Sequence, residues 1–321
     1  MRTDSQKHGP MVVSGEFDDF DAFTESVAGW ETDLRALENG SLKTSLFQVT
    51  DAEMNIGGAC FSKPCLQAGT SPAGMHTFSI LDGDVPPTRY CGEDWDLSRM
   101  AVIGRANGFE STSPAGFTIY SVSLTEEYLR ALAELHGIEF VGATLPAESS
   151  LMQGDPQAIH RLRTKFRNII AAEGDEERPG ALEEVKTGVA LELLQVLAGQ
   201  GHSNWISGKL HRHRLLSKAK NYINDHLNEA VKVQDVAAHL DVSTRALQKV
   251  FRDLQDVTPQ EYIKTARLYA FHRALKSPDS HHRVSHVAGE CGFWHMGQLA
   301  REYRARFGQL PSETLGQSND H

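Results

Sequence analysis

A chain of 321 residues, 40% apolar and 23% charged, has the composition of an ordinary globular protein and the length of two domains. The opening residues Met1–Lys7 carry no apolar segment and no run approaches 18 uninterrupted apolar residues, which argues against secretion and membrane spanning. Four cysteines, Cys60, Cys65, Cys91 and Cys291, lack the spacing of a disulfide framework, so a reduced, cytoplasmic setting is expected. The net charge of −10 is unevenly shared. Residues 209–315 hold 17 Lys and Arg against 11 Asp and Glu, with nine of the 15 histidines. Residues 1–208 hold 15 against 30. A basic module on an acidic partner is expected when one half meets a polyanion.

In chain order, residues 1–15 read as a loose tail and residues 16–198 as a sensing and dimerisation domain. From about Leu42 to Leu124 short strands are predicted at Leu46–Thr50, Ile56–Phe61, Thr77–Leu81, Met100–Gly104 and Phe117–Ser123. Asp82-Gly83-Asp84, Pro86-Pro87 and Asn107-Gly108 punctuate them, the last being a two-residue hairpin signal. Such spacing predicts a small barrel or sandwich. Helices follow over about 125–198. Thr125 caps one running to about His136, and others span Pro156–Glu173 and Ala181–Ala198. In the last, Leu182, Val185, Val189, Leu193 and Val196 form an apolar stripe that fits either packing on its own barrel or a dimer interface. Residues 199–208 read as a Gly/Ser-rich linker, 209–316 as an all-helical domain and 317–321 as a tail.

The sharpest feature is an internal repeat. Val236-Ala237-x-x-Leu240-x-Val242 recurs 51 residues later as Val287-Ala288-x-x-Cys291-x-Phe293. Leu247, Phe251 and Arg252 recur 52 residues later as Leu299, Tyr303 and Arg304, and Thr258-Pro259-x-Glu261 as Leu310-Pro311-x-Glu313. Each copy has the logic of a helix-turn-helix: a short helix with a small alanine, a tight turn with an apolar plug, and a longer helix. Ser243 caps the first long helix, which shows Thr244, Arg245, Gln248, Lys249 and Arg252 opposite its apolar face. The second runs from about His295 to Phe307 and exposes Gln298, Arg301, Arg304 and Arg306. Arg252, Arg304 and Arg306 fit phosphate contacts or solvated surface equally well. Between the units, Thr258-Pro259-Gln260-Glu261 is a capping box opening a helix to about Lys276. At 1.5 Å per residue that helix is about 27 Å long, a stiff spacer of the order of one DNA turn.

Residues from about Leu210 to Leu315 resemble the DNA-binding domain of the AraC/XylS transcription regulators. The resemblance rests on both repeat units, on Tyr262-Ile263 and Ala266-Arg267-Leu268 in the connecting helix, and on Phe307-Gly308 with Pro311-Ser312-Glu313 at the end. It implies sequence-specific binding to a double-stranded promoter operator, usually activation with RNA polymerase as partner, and often a homodimer. It places base readout on Arg245, Gln248 and Lys249 in the first unit and on Met296, Gly297 and Arg301 in the second, with His295 at the start of that helix. Three positions depart from the family pattern. Asp256 stands where glycine is usual, Trp294-His295 replaces a small polar pair, and Gly297 offers no side chain. Residues 16–200 match the family's sensor portion in layout only. That layout is a cupin-like barrel followed by helices, which makes the fold class α+β and implies a small-molecule effector.

Two rival readings stay open. One is a cupin-type metalloenzyme with the helices as a tether, although His76 stands without a ligand set. The other is a DNA-binding regulator controlled by a protein partner. No catalytic arrangement, metal or cofactor is expected. Cys60, Cys65 and Cys91 fit buried structural thiols better than a sensor, and His211-x-His213 is not helix-facing metal spacing. Phe47, Phe61, Phe78, Trp95, Phe109, Phe117 and Tyr120 are expected to be core, with some lining a pocket.

Overall fold

The computed structural model describes residues 11–83, 88–105, 108–138, 145–171, 181–198, 205–206, 210–229, 231–277 and 283–319. The chain begins with β1 (Met11–Phe17), α1 (Phe20–Ser26), β2 (Glu31–Ala36), β3 (Thr44–Thr50), β4 (Met54–Phe61), β5 (Cys65–Thr70) and β6 (Met75–Asp82). It continues with β7 (Thr88–Tyr90), β8 (Glu93–Trp95), β9 (Arg99–Ile103), β10 (Phe109–Ser113) and β11 (Phe117–Thr125). Then come α2 (Glu126–Leu135), β12 (Ser150–Gln153), α3 (Pro156–Ala171), α4 (Ala181–Ala198) and β13 (Trp205–Ile206). The rest is helical: α5 (Leu210–Asp225), α6 (Val233–His239), α7 (Thr244–Gln255), α8 (Pro259–Lys276), α9 (Val284–Glu290), α10 (Met296–Phe307) and α11 (Pro311–Asn319).

The α+β class holds, with the strands in two sheets rather than one closed barrel. One sheet has the order β1-β3-β4-β11-β6-β9-β12-β13, the other β2-β5-β10-β7-β8. Alternation gives the larger sheet two apolar faces. Met54, Ile56, Phe78 and Val122 pack under Leu129, Phe166 and Leu193 from the helices. Leu46, Phe61, Leu81 and Phe117 face the smaller sheet, with Leu34 and Trp95 opposite. Two expectations need correction. Residues 11–15 are not a loose tail, because they belong to Met11–Phe17, which pairs along the whole of β3. The linker 199–208 contains β13, which pairs with β12 through Trp205 and Ile206. Residues 1–10, the Pro86-Pro87 turn and Asn107 lie outside the described residues, and Gly108 has the positive φ, 60°, that its turn requires.

Val189, Leu193 and Val196 are buried in the N-terminal core, so this part of the stripe on α4 packs within the chain. The side chains of Leu182 and Val185 lie outside those described. Cys65 is fully buried, and burial pushes its thiol up to about 11; Cys91 is raised to about 12 for the same reason, so neither supplies thiolate at neutral pH.

Asp82 ties the helices to the sheet. Its carboxylate accepts from Arg167 Nε (2.8 Å) and from Tyr120 Oη (2.7 Å), with Arg163 Nε 3.7 Å away. Burial alone raises its pKa, but the bonds from Arg167 and Tyr120 outweigh burial and hold it below the ordinary aspartate value. A depressed carboxyl contributes stability above its unfolded value that is lost as pH falls. Stability measured by urea titration should therefore drop below about pH 4. In Asp82→Asn that acid limb should flatten, while stability at neutral pH falls by about 1–3 kcal/mol as Arg163 loses its counter-charge.

In the C-terminal part the turn of the repeat is reproduced bond for bond. Val242 N donates to Ala237 O (3.0 Å) as Phe293 N does to Ala288 O (2.9 Å). Both turns use left-handed backbone, Asp241 at φ 53° and Gly292 at φ 73°; so do the ends of α7 and α10, Asp256 at φ 56° and Gly308 at φ 79°. Aspartate tolerates this region because its short side chain bonds locally. A Cβ on Gly292 would meet the carbonyl oxygens of Glu229 and Leu227 at 3.3 and 3.4 Å, whereas one on Gly308 would meet nothing within 4 Å. Gly292→Ala should therefore cost more than Gly308→Ala, about 2 against about 1 kcal/mol, in thermal or urea unfolding.

Each unit has its own core, and α8 serves both. Tyr262, Ile263 and Ala266 pack with Leu247, Phe251 and Val236. Leu268, Phe271 and Leu275 pack with Val287, Leu299 and Tyr303. The capping box that opens α8 is formed: Thr258 Oγ1 accepts from Glu261 N (3.2 Å), and Glu261 Oε2 accepts from Thr258 N (2.8 Å).

Candidate nucleic-acid interface

α7 runs for 12 residues with Leu247, Val250, Phe251 and Leu254 buried on one side. That spacing leaves Arg245, Gln248, Lys249 and Arg252 exposed on the other. Ser243 is exposed, and its Oγ accepts from Ala246 N at 3.1 Å, an N-cap that fixes where the helix starts. Thr244 is half-buried beside it. The Lys249 ammonium pairs with Asp253 at 3.1 Å, an exposed i,i+4 contact that a phosphate could displace at little cost.

α10 buries Leu299 and Tyr303 and exposes Met296, Gly297, Gln298, Arg301 and Arg304. His295 is its N-cap, exposed and without a side-chain cap bond. Open space surrounds the Cα of Gly297, so the helix presents bare backbone there. Gln298 Nε2 donates to Glu302 Oε1 (3.0 Å), which also pairs with Lys264 of α8 (2.9 Å). The twelve residues thus fall into two sets, on two helices joined through α8. Trp294, which the repeat pattern did not single out, is 74% exposed just before α10. A bare indole beside a basic helix could stack on sugar or base.

One sequence expectation fails. Arg306 does not belong to the exposed face. It is half-buried, and its guanidinium donates to Ala36 O in the N-terminal half. It is part of an extensive junction between the halves. Tyr269 Oη accepts from Ala36 N (2.7 Å), and Gly40 N donates to Ala305 O (2.9 Å). Buried Lys220 of α5 lies 3.0 Å from Glu110, which accepts from Gln255 Nε2 at 3.1 Å. Burial works against the Lys220 ammonium, but Glu110 and the nearby Tyr262 outweigh it and hold the proton on. Arg35, paired with Asp33, donates to Asn224 Oδ1 at 3.3 Å, and Arg273 lies 3.6 Å from Asp33.

At the same junction Asp19, Asp21 and His272 converge at a spacing that could hold an ion. The Lys276 ammonium already bonds Asp19, and His272 Nδ1 is bonded to Tyr303 Oη at 2.6 Å, so a positive charge already sits in the cluster. His76 contacts Glu126 at 3.4 Å and Arg105, a polar cluster rather than a set of metal donors.

Between the two sheets lies a cavity of about 90 Å³ lined by Phe23, Trp30, Trp95, Phe109 and other apolar groups, together with uncharged polar side chains such as Thr32, Gln67 and Ser111. Of the aromatics singled out in the sequence, Phe61, Trp95 and Phe109 line it, while Phe47, Phe78, Phe117 and Tyr120 are core.

Residues 236–317 match a helix-turn-helix domain family. The chain is 29% identical over 147 residues to the XylDLEGF operon transcriptional activator of Pseudomonas putida, a match covering 46% of this chain and 45% of that protein. It is 24% identical over 188 residues to the HTH-type transcriptional activator RhaS of Escherichia fergusonii, covering 57% and 63%. The chain thus spans about half the length of the curated relatives it matches. Among solved structures it is similar to a probable AraC family transcriptional regulator from Rhodopseudomonas palustris, at 28% identity over 33% of this chain and 97% of that one, TM-score 0.31. The DNA-binding domain of AdpA in complex with a target DNA gives 28% identity over 33% and 93%, TM-score 0.30.

Proposed function

Because the chain belongs to the AraC/XylS family through its C-terminal third, we propose that it is an effector-gated transcription activator that grips a promoter operator with both helix-turn-helix units. The observation carrying this reading is the pair of polar helix faces on α7 and α10, set on two cores that share α8. Arg245, Gln248 and Lys249 read bases in one major groove; Arg301, with Met296 against a thymine methyl, reads them in the next. Ser243, Thr244, Arg252, His295, Gln298 and Arg304 hold phosphates, and the Gly297 backbone permits close approach. The N-terminal half, residues 16–198, senses a small effector and carries the homodimer contact. Val189, Leu193 and Val196 of the α4 stripe are buried, so they do not supply that contact. RNA polymerase is the downstream partner, and the cytoplasm is the site of action. Among the described residues no helix is long and apolar enough to cross a membrane.

Selection of bound duplexes from a randomised pool tests the reading. The expected result is an enriched site with two conserved blocks whose centres lie about 10 base pairs apart. Retention that is abolished equally by any competitor duplex, with no enriched sequence, would overturn it.

A further inference from the structure

The five-stranded sheet has two working faces. On β2, Thr32 and Leu34 line the cavity, while the alternate residues Asp33 and Arg35 meet Arg273 and Asn224 of the C-terminal part. On β10, Phe109 and Ser111 line the cavity, while Glu110 and Thr112 hold Lys220 and Gln255. On β5, which lies between them, Gln67 lines the cavity and Leu66 is buried in the core of the first helix-turn-helix unit. One layer of backbone separates whatever fills the cavity from the helices of the DNA-binding part.

The lining carries no charged side chain among the described residues. Most of its polar groups already have partners: Gln48 pairs with Asn55 (3.0 Å), Ser79 with Ser121 (2.7 Å), and Gln67 donates to Ser113 behind the lining (3.0 Å). Two hydroxyls are different. Thr32 Oγ1 and Ser111 Oγ are buried and have no hydrogen-bond partner among the described residues. A buried polar atom left unpaired has surrendered water without return, and a ligand group can supply the missing bond. β5 separates β2 from β10 by roughly 9.5 Å, and the register sets Thr32, opposite Gly69, two residues away from Ser111, opposite Gln67, so the two residues stand roughly 12 Å apart and address opposite ends of a ring-sized molecule. An anion would lose its hydration here and meet no counter-charge.

We propose that the cavity binds a neutral, ring-sized, mainly apolar molecule with a hydrogen-bonding group at each end, one for Thr32 and one for Ser111, and that its presence is felt through β2 and β10 by the DNA-binding part. This rests on the regulator reading above and gives its effector a chemical class.

The full chain, titrated with 4-hydroxybenzyl alcohol, 4-hydroxybenzamide and 4-hydroxybenzoate, tests it. The neutral pair should quench tryptophan fluorescence saturably, through Trp30 and Trp95, and raise the Tm; the anion should bind at least about tenfold more weakly. Ser111→Ala and Thr32→Val should each weaken the neutral probes by about tenfold while leaving the ligand-free Tm unchanged or slightly higher, because each removes an unpaired buried hydroxyl. A hydroxyl with a purely structural role would lower that Tm. Bound probe should also shift affinity for the selected duplex. The anion binding as well as the neutral probes, saturation by neither neutral probe, variants that bind like the parent, or binding without any shift in duplex affinity would each overturn the proposal. The same preparation is assayed on duplex alone. Sequence-selective retention with no probe binding sinks only this inference, and probe binding with no retention sinks only the regulator reading.

Discussion

Replacing Lys220 by methionine should lower stability by about 3–5 kcal/mol, because it leaves Glu110 buried at the junction without its ammonium. Both side chains are largely withdrawn from water, at 8% and 19% exposure, so solvent screens the pair poorly. The neighbours add to the loss. Gln255 donates to the other oxygen of Glu110, and Lys220 sits 5.4 Å above the ring of Tyr262, so the ion pair organises contacts from α5, α7 and α8 at once. The double variant Lys220→Met/Glu110→Gln should recover most of the deficit, since removing both charges removes the orphan. Urea unfolding of the three proteins measures this. Equal stability of the single and double variants would show that the pair is not coupled. Limited proteolysis should also cut Lys220→Met sooner near the junction, because the halves are held together there.

Arg245→Ala and Arg301→Ala should each weaken binding to the selected duplex by about 1–3 kcal/mol, and each should relax preference within one block of the site only. The double variant decides whether both units engage one duplex. The two arginines lie on separate helices with separate cores, so their effects should add to about 2–6 kcal/mol. If α10 does not enter the groove, Arg301→Ala changes nothing and the double variant matches Arg245→Ala. Titrations at several salt concentrations separate the roles. An arginine that bonds a base leaves sequence preference relaxed at every salt concentration, while loss of a phosphate contact weakens all sequences alike and lowers the salt slope by about one. Both side chains are exposed, so the fold should be unaffected.

The C-terminal part was legible because its sequence states the same pattern twice, and the turn, the apolar plug and both long helices fall where the repeat puts them. The middle of the larger sheet was legible through alternation: the five predicted strands coincide with β3, β4, β11, β6 and β9, which stand side by side in it, while β1, β12 and β13 at its ends were not predicted as strands. The smaller sheet was not. Its inward residues include Thr32, Gln67 and Ser111 because they line a partly polar cavity, and its outward residues include Leu66, Glu110 and Asp33 because they meet another domain. Burial on both faces by such partners erases the alternation that marks a half-buried strand. Edge strand β1 reads as tail for the opposite reason: none of its residues is fully buried, and Met11 and Val12 are exposed. Arg306 was misplaced because helical spacing reports which face a residue occupies, not what folds over that face from 270 positions away.

The double allegiance of α8 has a consequence for how such a protein can be altered. Its first turns finish one apolar interior and its last turns finish the other. Neither repeat is therefore a bead that can be cut out and restrung. A break in this beam strips hydrophobic cover from both sides, so exchanging operator preference with a relative means transplanting the two repeats and their common beam as one block, or rewriting only the solvent-facing letters on each.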